Sequence, residues 1–293
     1  MPILGIIASS IRKGFIWTSR TMSASTTWRQ VAYGSSIFAA IAEGTTAAAS
    51  STDGITWTAR TLPSAGNWRG IGSSGSLFVA VAHSGTDAAS STNGTSWTAR
   101  TLSVSGFWRD VAWGNNLWVT VAEASANASS SPDGITWTTR TLPVSASWHG
   151  VVYGGGIWVA VAIGGTTAAS SPDGITWTAR TMPVSGDWLA VEYGNSTFVA
   201  VAQSSSNAAT SSNGTSWTTR TLPSSTTWRD ITFGNGLFVA IASTGTVSAT
   251  SPDGITWTAR TLPASVDWRG VAYGASVFAA IATGTTQAAS AAW

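Results

Sequence analysis

Seven tryptophans at intervals of 40 residues are candidates for carbohydrate stacking, because an indole face packs on the C–H face of a sugar ring. The series comprises Trp28, Trp68, Trp108, Trp148, Trp188, Trp228 and Trp268. Polar residues suited to hydrogen bonding with sugar hydroxyl groups recur near these tryptophans. They are Asp187, Asp267, Asn67, Glu43, His83 and Glu123. The same tryptophans are also suited to packing between repeated units, and the sequence leaves both interpretations open.

Three positions of the repeat vary more than the others. The first follows an apolar segment and carries Glu43, His83, Glu123, Ile163, Gln203, Ser243 or Thr283. The second lies four residues later and carries Ala47, Asp87, Asn127, Thr167, Asn207, Val247 or Gln287. The third directly precedes the tryptophan and carries Thr27, Asn67, Phe107, Ser147, Asp187, Thr227 or Asp267. Variable loops on a constant scaffold are where binding residues usually lie. We therefore predict that these positions share a ligand-binding face, with sequence drift on solvated loops as the alternative.

The composition excludes several kinds of site. The chain has no cysteine and only two histidines, which excludes disulfides and thiolate ligands and leaves little for a histidine-rich metal site. No pair of carboxylates suited to glycoside hydrolysis stands out. The sequence therefore predicts no catalytic residue, no metal, no cofactor and no enzymatic activity.

Charge and hydropathy bear on partners and location. The formal net charge is only +2, and the arginines are spread along the chain, whereas a nucleic-acid partner requires a clustered basic surface. No apolar run approaches the roughly 20 residues of a membrane span. In the opening residues the charges follow the apolar stretch, which is the wrong order for a secretory signal. We expect neither nucleic-acid binding nor membrane insertion, and favour a virion or extracellular surface as the location.

An internal repeat of 40 residues determines the expected architecture. Trp17, Gly14 and Ala42 each recur at every fortieth position, and the seven units are 11–50, 51–90, 91–130, 131–170, 171–210, 211–250 and 251–290. Each unit is predicted to form four short strands. In one example the strands are 68–73, 77–82 and 87–91 of the second unit, and the fourth strand, 96–101, begins just after its last residue. Four strands in each of seven such units predict a β-propeller. The fold is therefore predicted to be all-β, a single seven-bladed domain (1–293) of four-stranded antiparallel blades.

The last blade is expected to take strands from both ends of the chain, which closes the ring. Two segments, 3–10 and 285–290, compete for one strand of this blade, and the sequence does not decide between them. The remaining segment is then free to pair with another chain. We therefore expect a monomer, or a weak oligomer formed through this spare strand.

A recurrent turn carries a family resemblance. It reads Ser-Pro-Asp-Gly-Ile-Thr-Trp at 131–137, 171–177 and 251–257, and its polar residues are Asp53, Asp133, Asp173, Asp253, Asn93 and Asn213. The turn resembles the Asp-box of sialidase-like (BNR-like) propellers, which implies a structural role for these side chains. In the enzymes of that family, three arginines, an acidic residue and a Tyr–Glu pair form one asymmetric site near the ring axis. No such cluster is evident here, since Arg20 and its equivalents recur in every unit.

The Ser, Thr, Ala and Gly-rich texture is similar to that of propeller lectins and of phage tail or adhesion propellers. This resemblance implies a non-enzymatic binding or structural propeller, with multivalent recognition of carbohydrate on a phage or cell surface. The expected partners are glycans or another virion or surface protein. Two alternatives remain open: a relative of sialidase-like glycoside hydrolases without an evident active site, and a purely structural scaffold for protein–protein contacts.

Overall fold

The computed structural model describes residues 14–293, which form strands and turns. The strands are β1 (Thr18–Thr26), β2 (Trp28–Gly34), β3 (Ile37–Ser51), β4 (Thr58–Ser73), β5 (Phe78–Ala82), β6 (Gly85–Ser91), β7 (Thr98–Gly114), β8 (Leu117–Glu123), β9 (Ser125–Ser131), β10 (Thr138–Gly154), β11 (Ile157–Ile163), β12 (Gly165–Ser171), β13 (Thr178–Gly194), β14 (Thr197–Gln203), β15 (Ser205–Ser211), β16 (Thr218–Thr226), β17 (Trp228–Gly234), β18 (Leu237–Ala242), β19 (Val247–Ser251), β20 (Thr258–Thr261), β21 (Asp267–Gly274), β22 (Val277–Thr283) and β23 (Thr285–Ala292). Within this part of the chain no helix is long and apolar enough to cross a membrane.

The strand pairings repeat with the sequence period. In every unit, the segment that begins at the tryptophan pairs antiparallel with the apolar segment after it, as β2 does with β3 and β10 with β11. This hairpin occurs seven times. Five of the 23 strands, β3, β4, β7, β10 and β13, each serve two strand positions, which gives 28 positions, or four in each of seven units. The all-β fold predicted from the sequence is confirmed.

The strand breaks differ from the prediction at two connections. In the first unit, β3 runs without interruption through the predicted break between the second and third strands. The sequence also predicts a break between the outer strand of one unit and the inner strand of the next. Instead β4, β7, β10 and β13 run through it without interruption. In β4, Gly66 and Asn67 lie in this connection and pair with Thr45 and Glu43 of β3. These backbone partners keep the connecting residues extended.

The ring closes between the two ends of the described chain. β1 pairs with β23, where Thr18 lies opposite Ser290, and β2 lies beside β21. The segment 285–290 thus fills the strand for which two segments competed. The competing segment, 3–10, lies outside the described residues.

Seven apolar clusters, each drawn from adjacent units, form the core. One of them joins Trp28 and Phe38 of the first unit to Ile281 of the last. The central segment of each hairpin is apolar on both faces because both are covered: Trp118 to Ala122 of β8 are all buried. Burial of large side chains between the blades therefore fixes their arrangement.

The turns that resemble the Asp-box are held by local hydrogen bonds. The Asp53 carboxylate accepts bonds from the backbone N–H groups of Ile55 (2.8 Å) and Thr56 (2.9 Å), and Ser51 Oγ accepts one from Gly54 N (2.8 Å). Asn93 uses its amide oxygen in the same way. Gly54 has φ +68°, and a Cβ there would lie 3.0 Å from Val277 Cγ2, so both backbone conformation and packing favour glycine. The Asp and Asn side chains therefore hold the turn together through hydrogen bonds to its backbone.

Candidate functional site

A channel of about 340 Å³ runs along the ring axis and is lined by the innermost strands of all seven units. The residue that follows each tryptophan lines this channel. In order, these residues are Arg29, Arg69, Arg109, His149, Leu189, Arg229 and Arg269. Five guanidinium groups therefore converge at one end of the channel, which we call the arginine mouth.

A β-bulge in each inner hairpin explains how the arginines reach the channel. In the first unit Trp28 pairs with Ala42 and Gln30 pairs with Ile41, so Arg29 is an extra residue without a partner. The same shift occurs in the other six hairpins. A bulge redirects the side chains on either side of it. The tryptophan consequently packs between blades while its successor lines the channel.

Acidic residues of the predicted variable positions pair with four of the arginines. Glu43 lies between Arg29 and Arg69, with 2.6 Å between its Oε2 and Arg29 Nε. Asp267 pairs with Arg269. The predicted site residues Glu43 and Asp267 therefore contact the arginine mouth.

Glu123 forms the third acidic centre of the mouth. It pairs with Arg109 and lies 2.9 Å from His83 Nε2. Burial lowers the pKa of His83 despite the hydrogen bond to Glu123. The predicted residues His83 and Glu123 thus also lie at the mouth, where they occupy adjacent units.

Arg229 forms no salt bridge within residues 14–293, although the charge of the neighbouring Asp230 acts on it. The positions that carry Asp267 and Glu43 in other units carry Thr227 and Ser243 here. Burial, together with the charges of Arg269, Arg29 and Arg109, lowers the pKa of Arg229 to about 9. Burial and then the charge of Arg69 lower the pKa of Arg29 to about 10, although Glu43 opposes this change. The mouth therefore contains cations that destabilise one another.

His149 occupies one of the two positions of the set that lack arginine. Its Nδ1 lies 2.9 Å from the backbone oxygen of Leu189, which can only accept a hydrogen bond, so Nδ1 carries the hydrogen. Burial, followed by the charges of Arg229 and Arg109, lowers the pKa of His149 well below its ordinary value. The ring is therefore neutral near pH 7 and adds no charge to the mouth.

Three carboxyl groups line the channel beyond the arginines: Asp110, Asp230 and Glu192. Asp110 Oδ1 accepts a hydrogen bond from Val111 N (2.8 Å), and its Oδ2 accepts one from Val151 N (3.0 Å) of the next unit. Glu192 Oε1 accepts one from Tyr193 N (2.8 Å). These bonds join the carboxyl groups to backbone of the inner strands.

Burial is the main reason that all three carboxyl groups have raised pKa values. The pKa is about 6 for Asp110 and about 7 for Asp230. It is about 8 for Glu192, because the charges of Asp230 and Asp110 add to the effect of burial there. Ionisable groups with such values cluster at functional sites. An asymmetric group of carboxyls and arginines therefore lies on the axis, which corrects the expectation that no such cluster exists.

The tryptophans proposed for sugar stacking have no free ring face. Trp28 and its six equivalents are each 0% exposed. Most donate their Nε1 hydrogen to a backbone oxygen four residues earlier, as Trp148 does to Val144 O at 3.2 Å. A fully buried ring cannot stack on a ligand, so the stacking role assigned to Trp28, Trp68, Trp108, Trp148, Trp188, Trp228 and Trp268 is corrected to packing.

The other two predicted site residues support loops at the same end of the channel. Asp187 accepts hydrogen bonds from Gly164 N (2.9 Å) and Gln203 Nε2 (3.1 Å). Asn67 lies opposite Glu43, and its backbone oxygen accepts from His83 N (2.7 Å). Both residues thus lie beside the arginine mouth without belonging to its ion pairs.

Tyr33, Trp113 and Tyr273 line the channel near the other end of the innermost strands. Tyr33, Trp113, Tyr153, Tyr193, Phe233 and Tyr273 share one repeat position, which carries Ser73 in the second unit. Several pack on the glycine of the preceding inner strand: a Cβ at Gly154 would lie 2.0 Å from Tyr193 Cγ. Within residues 14–293, no three or more His, Asp or Glu side chains are grouped to hold a metal ion. The ionic chemistry of the channel is therefore concentrated in the arginine mouth and the three carboxyls.

No family model and no curated protein matches the sequence. Among solved structures, the chain is similar to virginiamycin B lyase from Staphylococcus aureus (TM-score 0.85, 10% identity, covering 95% of this chain and 99% of that one). It is also similar to YCF48 from Cyanidioschyzon merolae (0.73, 14%, 94% and 98%) and to the Swd1 β-propeller domain from Myceliophteria thermophila (0.70, 9%, 93% and 99%). These similarities establish the β-propeller fold.

The comparisons correct one prediction and leave another unconfirmed. The prediction that the chain is not an enzyme is contradicted, because virginiamycin B lyase is an enzyme built on a propeller that covers almost the whole of this chain. The fold is compatible with binding and structural roles as well. The resemblances to Asp-box proteins and to lectins are not confirmed by any of the comparisons.

Proposed function

We propose that this propeller binds an anionic ligand at the arginine mouth of its central channel. The observation that carries the proposal is Arg229, which forms no salt bridge among the described residues, whereas the four other arginines of the mouth each pair with a carboxylate. A bound carboxylate, sulfate or phosphate group would supply the missing negative charge.

The physical case rests on the shape of guanidinium and on the setting of the channel. Arginine donates two parallel hydrogen bonds to a carboxylate or an oxyanion, and such charge-assisted bonds are stronger than neutral ones. A narrow cleft lined by cations also concentrates anions near it. The net charge of the chain is only +2, so attraction for anions arises from the local arrangement of the arginines.

The proposal replaces seven equivalent sites with one site on the axis. Multivalent carbohydrate recognition required seven exposed tryptophans, and these rings are buried. Recognition of a glycan remains part of the proposal in a narrower form, in which the glycan carries acidic groups. The variable residues Glu43, His83, Glu123 and Asp267 then shape the mouth that receives it.

Calorimetric titration with sulfate, phosphate and citrate tests this function, with glycerol as the uncharged control. We expect citrate to bind with an affinity that falls as sodium chloride is added, because salt screens the arginines. Glycerol is expected to give no heat of binding. Absence of saturable binding for all three anions at low salt would overturn the proposal.

A second candidate function is acid–base chemistry on the bound anion. Asp110, Asp230 and Glu192 lie beyond the arginines in the same channel, and their raised pKa values are near those that general acids and bases need around neutral pH. Incubation of the protein with anions that bind, followed by NMR for new products, tests this activity. Turnover that is lost in Glu192→Gln supports it, and turnover that is unchanged in all three amide variants contradicts it.

A further inference from the structure

Two residues depart together from the repeat at one side of the arginine mouth. Phe107 is the only aromatic residue at its repeat position, where the other units carry Thr27, Asn67, Ser147, Asp187, Thr227 and Asp267. His83 is likewise the only imidazole at its position. Their ring centroids are 5.3 Å apart and the rings are inclined by only 32°. The two rings, which come from adjacent units, form a shared surface that we call the aromatic platform.

Phe107 is the exposed part of the platform, whereas the His83 side chain is only 16% exposed. Phe107 is 50% exposed and is the one aromatic among the exposed large hydrophobic side chains of the described chain. Its polar counterparts in the other units show that the fold does not need an aromatic ring here. The exposed ring therefore offers an apolar surface that the packing of the propeller does not explain.

The platform adjoins the ion pairs of the mouth. Phe107 lies directly opposite Glu123 in the β7–β8 hairpin, and Glu123 contacts both His83 and Arg109. A ligand on Phe107 thus meets an apolar ring, a carboxylate that accepts hydrogen bonds and an arginine that donates them. These groups match the C–H face, the hydroxyl groups and the acid group of an acidic sugar.

We infer that the ligand of the arginine mouth is an acidic carbohydrate, one ring of which stacks on Phe107 while its carboxylates reach the arginines. This inference rests on the proposed function. A nucleotide also combines an aromatic face with negative charge, but its hydroxyl donors are on the ribose and not on the base that would stack. An acidic sugar carries hydroxyl donors on the stacking ring itself, beside Glu123, which lies directly opposite Phe107, and this favours the carbohydrate.

Titration of trigalacturonate, citrate and adenosine triphosphate into three proteins tests the inference. The variant Phe107→Ser introduces the residue type found at the equivalent Ser147, so the fold is expected to tolerate it. The control Val144→Ala shortens another exposed apolar side chain and leaves intact the backbone oxygen that Trp148 uses. We expect Phe107→Ser to weaken trigalacturonate binding by about fivefold to tenfold, because the stacking contact is lost.

Citrate separates the inference from the function on which it rests. It has three carboxylates but no ring, so Phe107→Ser is expected to leave its affinity unchanged, and Val144→Ala is expected to alter neither ligand. If citrate binds but Phe107→Ser leaves trigalacturonate affinity unchanged, the carbohydrate inference is wrong and the anion site stands. If neither acid binds the unmodified protein, the proposed function itself is wrong. Binding of adenosine triphosphate that depends on Phe107, without binding of trigalacturonate, would also overturn the inference.

Discussion

Asp230 accepts a hydrogen bond from the backbone N–H of Val271 in the next unit, at 2.8 Å between Oδ2 and N. Its other oxygen accepts from Ile231 N in its own strand. The carboxyl group thus joins two inner strands that belong to different blades. Asp110 makes the equivalent bond to Val151. Acidic residues of the channel therefore connect neighbouring blades by hydrogen bonds, in addition to adding charge to the channel.

Replacing Asp230 is expected to destabilise the fold. Asparagine offers one oxygen for the two backbone N–H groups that Asp230 now satisfies, and an unpaired buried donor costs about 1–3 kcal/mol. Chemical unfolding of Asp230→Asn measures this free energy. The matched control is Asp133→Asn, because Asn93 already holds the equivalent turn. Equal stability of both variants would contradict the bridging role.

Stability is expected to fall between about pH 4 and pH 8. Asp110, Asp230 and Glu192 have pKa values of about 6, 7 and 8 in the folded chain, above their ordinary values of 3.8, 3.8 and 4.5. These three carboxyls therefore bind more protons in the folded chain than in the unfolded chain in this range. The lowered pKa values of His83 and His149 act in the opposite sense, but the three carboxyls outnumber the two imidazoles, so the free energy of unfolding decreases as the pH rises.

Melting temperatures at pH 5 and pH 8 test this dependence. The protein is expected to melt at the higher temperature at pH 5. The difference should shrink in Glu192→Gln, which cannot ionise. The turn residues Asp53, Asp133 and Asp173 have lowered pKa values, mainly because of backbone hydrogen bonds, so they act only in more acidic solution. A protein that melts higher at pH 8 would refute the assignment.

Truncation of a tryptophan after the bulge is expected to affect stability but not binding. Trp148 is fully buried and donates to Val144 O. Trp148→Ala should therefore cost about 3–5 kcal/mol, as for other large buried residues. Citrate affinity of the folded variant should remain that of the unmodified protein. A large loss of affinity in a variant that stays folded would return the tryptophans to the binding site.

A disulfide across the ring closure is expected to stabilise the protein more than one within a blade. Thr21 lies opposite Gln287, and the equivalent pair in the next unit is Thr61 and Ala47. The chain has no cysteine, so paired Thr21→Cys and Gln287→Cys substitutions give one defined bond. It closes a far longer loop than paired Thr61→Cys and Ala47→Cys, with an upper limit of about 5 kcal/mol against about 3 kcal/mol.

Denaturant unfolding of the oxidised and reduced forms distinguishes the two bonds. The closure bond should raise the midpoint more than the bond within the blade. Equal gains would indicate that β1 and β23 stay close together in most unfolded molecules. That result would contradict the contribution of the β1–β23 pairing to stability.

The repeat made the architecture predictable, whereas the site depended on a detail of the strands. The 40-residue spacing of Trp28 and its equivalents located the hairpins, since one pattern of apolar residues recurs in every unit. It did not reveal the bulge, which directs Trp28 into the core and Arg29 into the channel. Local residue types do not specify such a shift, so the sequence predicts a ligand-binding role for the tryptophans and none for the arginines that follow them.

The sequence carries a signal for two of the three channel carboxyls. Asp110 and Asp230 occupy a repeat position that carries Gly70, Gly150 and Gly270 elsewhere. A Cβ at Gly70 would lie 2.9 Å from Asp110 Cα. The limited space near the axis therefore requires a small residue in the unit next to a large one. Departures from the repeat at such a position mark the axis more clearly than the residues that every unit shares.

Calorimetric titration of citrate into the unmodified protein, Arg229→Gln and Arg220→Gln tests the central claim most directly. Arg220 is the matched control, because its substitution removes the same charge from a residue that does not line the channel. Its Nε donates a hydrogen bond to Thr210 Oγ1 instead. We expect Arg229→Gln to weaken binding by about tenfold or more, as the loss of a charge-assisted hydrogen bond implies, and Arg220→Gln to leave it unchanged. Equal affinities of the two variants would show that any anion binding reflects overall charge, and would contradict a site at Arg229.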